Sequence, residues 1–438
     1  MKRFKRRAWS ALILAAALIL GLGVYTYRFA VYGRDWANFR ANQSVWETGT
    51  LAMGTVTDRN GAVLADIADG KRVYSDDAET RIATLHAVGD AGGNIGTGAL
   101  RVFADRLSGY NPVTGVSGGS GTVTLSIDAE LCKIAYAALA GRKGAVMVSD
   151  YTTGEILCMV SAPSYDPTVG FDESDSAYDG AYLNRCLSAA YTPGSVFKLV
   201  TLAAAIEKLP DLGDRTFTCG GSVNVDGNTV VCTAAHGEQT IEEALAHSCN
   251  VAFAQLSLEL GGETLAQYAE ALGLTSAPSL DGIATAAGNF DAAAAGSADL
   301  AWSGIGQSTD LVCPYALLRC VSAIANGGAV REPTLLCGER TKTTRVLSAD
   351  TAEAIRSMMN YNVVSAYGKE SFPGLTLCAK SGTAEVGDGT SHAWFTGFLA
   401  DDPEHPYAFV VVIEHGGGGL RSAGPVANAV LQAAVNQN

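Results

Sequence analysis

Three short segments, Ser195-Val196-Phe197-Lys198, Ser248-Cys249-Asn250 and Lys380-Ser381-Gly382-Thr383, occur in that order along a chain of 438 residues. If they act together, the fold must bring a helix start, an interhelical loop and a strand to one groove. Local sequence supports the first of these placements. Tyr191-Thr192-Pro193-Gly194 puts a turn before Ser195, and the apolar, alanine-rich run from Leu199 to Leu209 reads as a helix that the serine opens. Residues three apart on a helix share a face, so Lys198 lies one turn from the Ser195 hydroxyl. The Ser195 amide falls among the unpaired donors of the helix start.

Ser248 follows a helical run from Thr240 to His247 and precedes another from Val251 to Leu260, a setting in which packed helices hold a loop rigidly. Ser222-Val223-Asn224 has the same Ser-x-Asn pattern, but it lies in an alternating, turn-rich stretch suited to a surface hairpin and is read as structural. The third segment belongs to the run Leu375 to Val386, followed by apolar stretches at His392 to Ala400 and Tyr407 to Glu414. Turns at Gly387-Asp388-Gly389 and Asp401-Asp402-Pro403 make these an antiparallel meander.

The chemistry these residue types support is acyl transfer. A free lysine titrates near ~10.4, so Lys198 serves as a general base only if burial or a neighbouring cation brings it to about 7 to 8, a shift of roughly 4 kcal/mol. Lys380 is the candidate cation. Ser248 can relay a proton, Asn250 can bind a peptide group, and Ser381 and Thr383 offer hydroxyls to a carboxylate. Gly382 lets a substrate approach the strand backbone. The amides of Ser195 and Thr383 form a candidate oxyanion hole.

With their flanks, Tyr-Thr-Pro-Gly-Ser-Val-Phe-Lys, His-Ser-Cys-Asn-Val-Ala-Phe and Lys-Ser-Gly-Thr-Ala-Glu, the three segments resemble the transpeptidase domain of penicillin-binding proteins. Ser161-Ala162-Pro163-Ser164-Tyr165-Asp166-Pro167, Gly304-Ile305-Gly306-Gln307 and His392-Ala393-Trp394-Phe395-Thr396-Gly397-Phe398 extend the resemblance across residues 121–438. It implies an α+β fold of the serine β-lactamase and transpeptidase type, a five-stranded antiparallel sheet flanked by helices. The implied activity is peptidoglycan D,D-transpeptidation. The serine attacks the D-Ala-D-Ala end of a stem peptide and passes the acyl group to an amine; β-lactams acylate the same serine. Carried over by position, Ser195 is the nucleophile, Lys198 the base, Ser248 the relay and Asn250 the substrate binder. Lys380, Ser381, Gly382 and Thr383 line the carboxylate and oxyanion side. No cofactor is implied. The alternatives on this fold are a D,D-carboxypeptidase, a β-lactamase or a non-catalytic β-lactam sensor. No Glu-x-x-Leu-Asn segment of the class A lactamase type follows Asn250, and no catalytic residue is lost as in a sensor.

Residues 54–65 read as a hairpin turned at Asn60-Gly61. With Arg81 to Asp90 and Gly93 to Gly98, they are similar to short class B, or monofunctional, penicillin-binding proteins. The resemblance implies a small, mostly-β pedestal or dimerisation-like domain over 28–120. That span is too short for a separate glycosyltransferase domain of over ~150 residues, so a membrane-embedded SEDS-type glycosyltransferase is the implied partner.

Lys2, Arg3, Lys5, Arg6 and Arg7 precede a stretch without charge from Ala8 to Tyr27, long enough to cross a hydrocarbon core of ~30 Å. Residues 1–27 therefore read as a cytoplasmic tail and single-pass anchor in the bacterial cytoplasmic membrane, with the remainder exported. Without those five basic residues the chain holds 25 Lys and Arg against 44 Asp and Glu. That acidity argues against nucleic-acid binding. The ten cysteines are spread without tight metal-ligand spacing and read mostly as small buried residues. Cys219 and Cys232, which flank the predicted hairpin, are a candidate disulfide. The six histidines form no His-x-x-x-His pair, so no catalytic metal is expected.

Overall fold

The structure, a computed structural model, describes residues 2–37, 54–108, 110–111, 115–116 and 121–436. Its centre is a five-stranded sheet whose middle strands are continuous apolar runs, Gly144–Asp150 and Tyr407–Ile413, buried on both faces. Runs without polar alternation are what a sheet covered on both sides requires.

In chain order the first elements are α1 (Lys2–Ala37), β1 (Thr55–Thr57), β2 (Val63–Ala68), β3 (Lys71–Tyr74), α2 (Ala78–Val88), β4 (Thr122–Thr124) and α3 (Ala129–Leu139). Next come β5 (Gly144–Asp150), β6 (Ile156–Ala162), α4 (Lys198–Lys208), β7 (Phe217–Cys219), β8 (Ser222–Val225), β9 (Asn228–Val231) and β10 (Gly237–Gln239). The elements that build the rest of the site and sheet are α5 (Ile241–Ala246), α6 (Asn250–Leu260), α7 (Pro314–Ala325), α8 (Ala349–Asn362), β11 (Leu377–Glu385), β12 (Ser391–Leu399), β13 (Tyr407–Ile413) and α9 (Gly419–Asn436).

The central sheet runs β11-β12-β13-β5-β6, antiparallel throughout. The expected meander is therefore present, and β11, which carries the Lys-Ser-Gly-Thr segment, is an edge strand. Helices α3 and α9 pack together over one face, and α7 and α8 cover the other. Buried Val410, Val411 and Val412 of β13 and Leu317, Leu318 and Val321 of α7 belong to one continuous core.

A second sheet, β3-β2-β1-β4, forms beside it, with β1 parallel to β4 and the other pairs antiparallel. Its β1–β2 connection turns at Asn60-Gly61, where Gly61 has φ 84°, a left-handed conformation that suits glycine. Asp77 caps α2 by accepting the Glu79 and Thr80 amides. The segment is thus not strands alone: α2 and short helices at Ala99–Val102 and Ala104–Ser108 pack with it. Arg81 forks onto Asp166 (2.9 and 2.6 Å), and Ser164 Oγ donates to the Ile82 carbonyl at 2.7 Å. These contacts bind the segment to the larger body.

Helix α1 continues past Tyr27 to Ala37 and holds a 29-residue candidate span, Lys5–Gly33, whose most apolar 18-residue window has a mean hydropathy of 2.1. Trp9, Leu14, Leu18 and Leu20 on it are each more than 60 % exposed. A helix apolar all round and unburied has the length and surface of a membrane span.

Candidate active site

The turn before Ser195 is fixed from three sides. Gly194 has φ 55°, and a Cβ there would stand 2.5 Å from the Thr383 carbonyl oxygen, so only glycine lets this turn lie directly against β11. Its N–H donates to the Gly306 carbonyl at 2.8 Å. The Trp394 indole N–H on β12 donates to the Thr192 carbonyl at 2.9 Å. Tyr191 donates to Glu414 (2.8 Å), which Arg185 also holds at 2.7 Å. A short 3₁₀ turn, Gly194–Phe197, then runs into α4. Ser195 is half-buried, while Lys198, facing inward one turn on, is wholly buried.

The second segment comes to the lysine as expected. A capping box between Thr240 and Glu243 starts α5, and Cys249 caps α6. Ser248, between the two helices, takes φ 53°, a left-handed conformation that costs a non-glycine residue roughly 1–2 kcal/mol. This backbone turns both its carbonyl and its hydroxyl onto Lys198: Nζ donates to Ser248 O (2.6 Å), Ser248 Oγ (3.1 Å) and Asn250 Oδ1 (2.8 Å).

The third segment closes the site. Lys380, also fully buried, donates from Nζ to Ser248 Oγ at 3.0 Å and to the Ser381 carbonyl at 2.8 Å. One hydroxyl therefore lies between two amines. A serine hydroxyl carries one hydrogen and two lone pairs, so it can give its proton to a neutral amine while accepting from a charged one. Burial pushes Lys198 down to about 7, against a weaker upward pull from the Cys249 and Cys232 thiols. Burial first, and then repulsion from Lys198, push Lys380 well below the usual lysine range. Of the two expected causes, burial is the one that lowers Lys198, and the repulsion expected from Lys380 weighs on Lys380 instead. With no carboxylate beside either amine among the described residues, two ammonium ions on one hydroxyl are strongly disfavoured.

Ser195 and Lys198 are not directly bonded. Lys198 directs its donors to Ser248 and Asn250, and among the described residues Ser195 Oγ makes no hydrogen bond. Sequence spacing places the two on one face; the side-chain rotamers direct the amine to the neighbouring loop.

On β11 the Ser381 N–H points out of the sheet, donating to Tyr367 Oη at 3.0 Å, and Ser381 Oγ donates to the same oxygen at 3.2 Å. Successive N–H groups alternate in direction along a strand, so the Thr383 amide faces the same open edge. Thr383 is exposed, and its Oγ1 accepts the Gly419 amide at 3.1 Å from the start of α9. Gly382 packs beneath the Ser195 turn, where a Cβ would meet the Pro193 carbonyl at 2.9 Å. Tyr367, Trp394, Glu414 and Gly306 are supports the motif reading did not assign, although Gly306 and Trp394 lie inside stretches that carried the resemblance.

The decoy is where the hairpin reading put it. Ser222 pairs with Val231 and Val225 with Asn228, leaving Asp226-Gly227 as the two-residue turn, and Ser222 and Asn224 are exposed. The cysteines depart from expectation in one respect. Nine are buried, but Cys219 and Cys232 are free thiols rather than a disulfide. Their sulfurs, His236 and Cys249 lie with ligand atoms all within 4.8 Å of one another, a set that the linear spacing conceals.

A family model for the penicillin binding protein transpeptidase domain matches residues 144–432. Peptidoglycan D,D-transpeptidase PbpA of Mycolicibacterium smegmatis is 29% identical over 394 residues, covering 77% of this chain and 77% of its own. Among solved structures, the D,D-transpeptidase domain of a peptidoglycan glycosyltransferase from Eggerthella lenta superposes with a TM-score of 0.77 at 27% identity, covering 88% of this chain and 99% of that one. The penicillin G acyl-enzyme complex of penicillin-binding protein A from Mycobacterium tuberculosis gives a TM-score of 0.71 at 26% identity, covering 88% and 100%.

Proposed function

This chain belongs to the penicillin-binding protein transpeptidase family, and on that premise we propose that it is a peptidoglycan D,D-transpeptidase working through an acyl-enzyme on Ser195. The observation that carries this reading is the Ser248 hydroxyl held 3.1 Å from Lys198 and 3.0 Å from Lys380, two buried amines of depressed basicity.

In the proposed reaction the stem peptide lies along the open edge of β11. Its terminal carboxylate meets Lys380, Ser381 and Thr383, and a carboxylate there restores the charge on Lys380. Lys198, pushed down by burial, is neutral and fit to accept the Ser195 proton. Ser195 Oγ attacks the penultimate carbonyl, whose oxygen is held by the amides of Ser195 and Thr383. The proton passes from Lys198 through Ser248 to the departing D-alanine nitrogen, and Asn250 holds the peptide group. An amine from a second strand then takes the acyl group by the reverse path, and β-lactams stop at the first half. Hydrogen bonds of this kind often close only when substrate is bound, which accommodates the present distance between Ser195 and Lys198.

The assigned architecture is an anchor over 1–27, a pedestal over 28–120 and the transpeptidase over 121–438. The basic tail supports a cytoplasmic amino terminus with the catalytic body outside. A SEDS-type glycosyltransferase in the same membrane would supply the polymerised strands. Intact-mass measurement with penicillin G tests the assignment. A single long-lived adduct is expected on the wild type and none on Ser195→Ala. Rapid turnover without an adduct, or an adduct that survives the substitution, would refute it. With polymerised strands, cross-linked dimers are expected; release of D-alanine alone would make the enzyme a carboxypeptidase.

A further inference from the structure

We propose that Tyr367 is a specificity residue of the acyl-donor site: its phenol closes the open edge of β11 and gives its hydrogen to the terminal carboxylate of the substrate. The assignment rests on the transpeptidase reading and deepens it.

The edge of β11 is sealed step by step from its start. Pairing with β12 turns the backbone groups of alternate residues outward, and side chains from α8 and the turn after it meet them in order. Asn360 Nδ2 donates to the Leu377 carbonyl at 3.1 Å, and Asn362 Nδ2 to the Ala379 carbonyl at 2.9 Å. The next outward residue is Ser381, whose N–H goes to Tyr367 Oη at 3.0 Å and whose carbonyl takes Lys380 Nζ at 2.8 Å. The stretch of edge left to a substrate begins at Thr383. A peptide laid along it must therefore end beside Ser381, where the terminal carboxylate is assigned.

An irregular piece of chain puts the tyrosine there. After α8, Val363–Tyr367 forms a π-helical turn, a rare geometry that recurs at functional sites. Gly368 follows at φ 80°, a left-handed conformation that suits glycine and ends the turn directly after the tyrosine. The Tyr367 ring packs on Phe395 of β12 with centroids 6.0 Å apart, and Phe395 stacks on Phe372. Aromatic packing holds the ring while its hydroxyl stays at the strand edge.

The hydrogen-bond count of the phenol gives it a task. Ser381 Oγ also donates to Tyr367 Oη, at 3.2 Å, so the phenol oxygen accepts two hydrogens from one residue. A phenol has one hydrogen of its own to give, and among the described residues no acceptor takes it. A carboxylate oxygen in contact with Ser381 Oγ comes within reach of that hydrogen, and O–H···O⁻ bonds are short and strong. Burial pushes the Tyr367 hydroxyl above its usual value, against a smaller downward pull from its bonds to Ser381. It therefore remains a donor at neutral pH. Lys380 attracts an anion from any direction, whereas the phenol rewards a carboxylate only at the end of the groove. An ester or amide there offers no charge and gains less.

Stopped-flow acylation of the full-length protein in detergent, with penicillin G and with its methyl ester, tests the assignment. Tyr367→Phe should slow the acid about tenfold and the ester about twofold, lowering the acid-to-ester ratio about fivefold. Asn360→Ala loosens the same edge away from the carboxylate and should move both rates alike. Equal losses for acid and ester in Tyr367→Phe, no loss in either, or the same fall in ratio in Asn360→Ala would overturn the assignment. The wild type tests it even if the variant misfolds, because equal acylation by acid and ester would mean that the site does not read the carboxylate. Acylation with an unshifted ratio sinks this assignment alone; a wild type that neither compound acylates sinks the transpeptidase reading as well.

Discussion

Ser222-Val223-Asn224 and Ser248-Cys249-Asn250 share a pattern and little else. The first lies on an exposed strand in ordinary extended pairing; the second sits between two capped helices, with Ser248 in a left-handed conformation and its hydroxyl between two buried amines. The proposed chemistry is assigned to the second because α5 and α6 hold a backbone conformation that a free hairpin would relax. A motif is therefore as informative as the packing that prevents it from moving.

That contrast can be broken at several points. The largest effect is expected at the amine itself: Lys198→Arg should slow penicillin acylation by roughly 10³-fold or more, because a guanidinium stays charged and cannot accept the proton. Stopped-flow acylation kinetics would check it. Ser248→Ala should cost about 10²-fold in the same assay by removing the proton relay from Lys198 to the leaving nitrogen. Gly194→Ala should lower stability by roughly 2 kcal/mol in thermal or denaturant unfolding, since it adds a Cβ at positive φ facing the Thr383 carbonyl. Smallest is Ser222→Ala, which should leave acylation within about twofold and stability within about 0.5 kcal/mol, as for other exposed sites. Equal losses at Ser222 and Ser248 would erase the distinction.

Most of the candidate site is legible in the sequence. Ser195, Lys198, Ser248, Asn250 and Lys380 announce themselves because helix spacing and strand alternation are local and periodic, and these residues fall at the starts and edges of such elements. Tyr367 on Ser381 was not legible, since a tyrosine in the π-helical turn Val363–Tyr367 that follows α8 meets β11 only through tertiary packing. Nor was the cluster of Cys219, Cys232, His236 and Cys249, which the hairpins and the start of α6 bring together. The same holds for the rotamer of Lys198. Spacing gives the face of a helix, but which neighbour the amine reaches depends on the strained backbone at Ser248.

The central claim is that Lys198 acts as a neutral amine, and the pH dependence of penicillin acylation tests it most directly. Lys198 is driven down to about 7 by burial, and the active form is the deprotonated one. The second-order rate should therefore rise about tenfold per pH unit below 7 and level off above it. A rate that keeps climbing towards pH 10, as for an ordinary solvated lysine, or one that does not change between pH 6 and 9, would contradict the account.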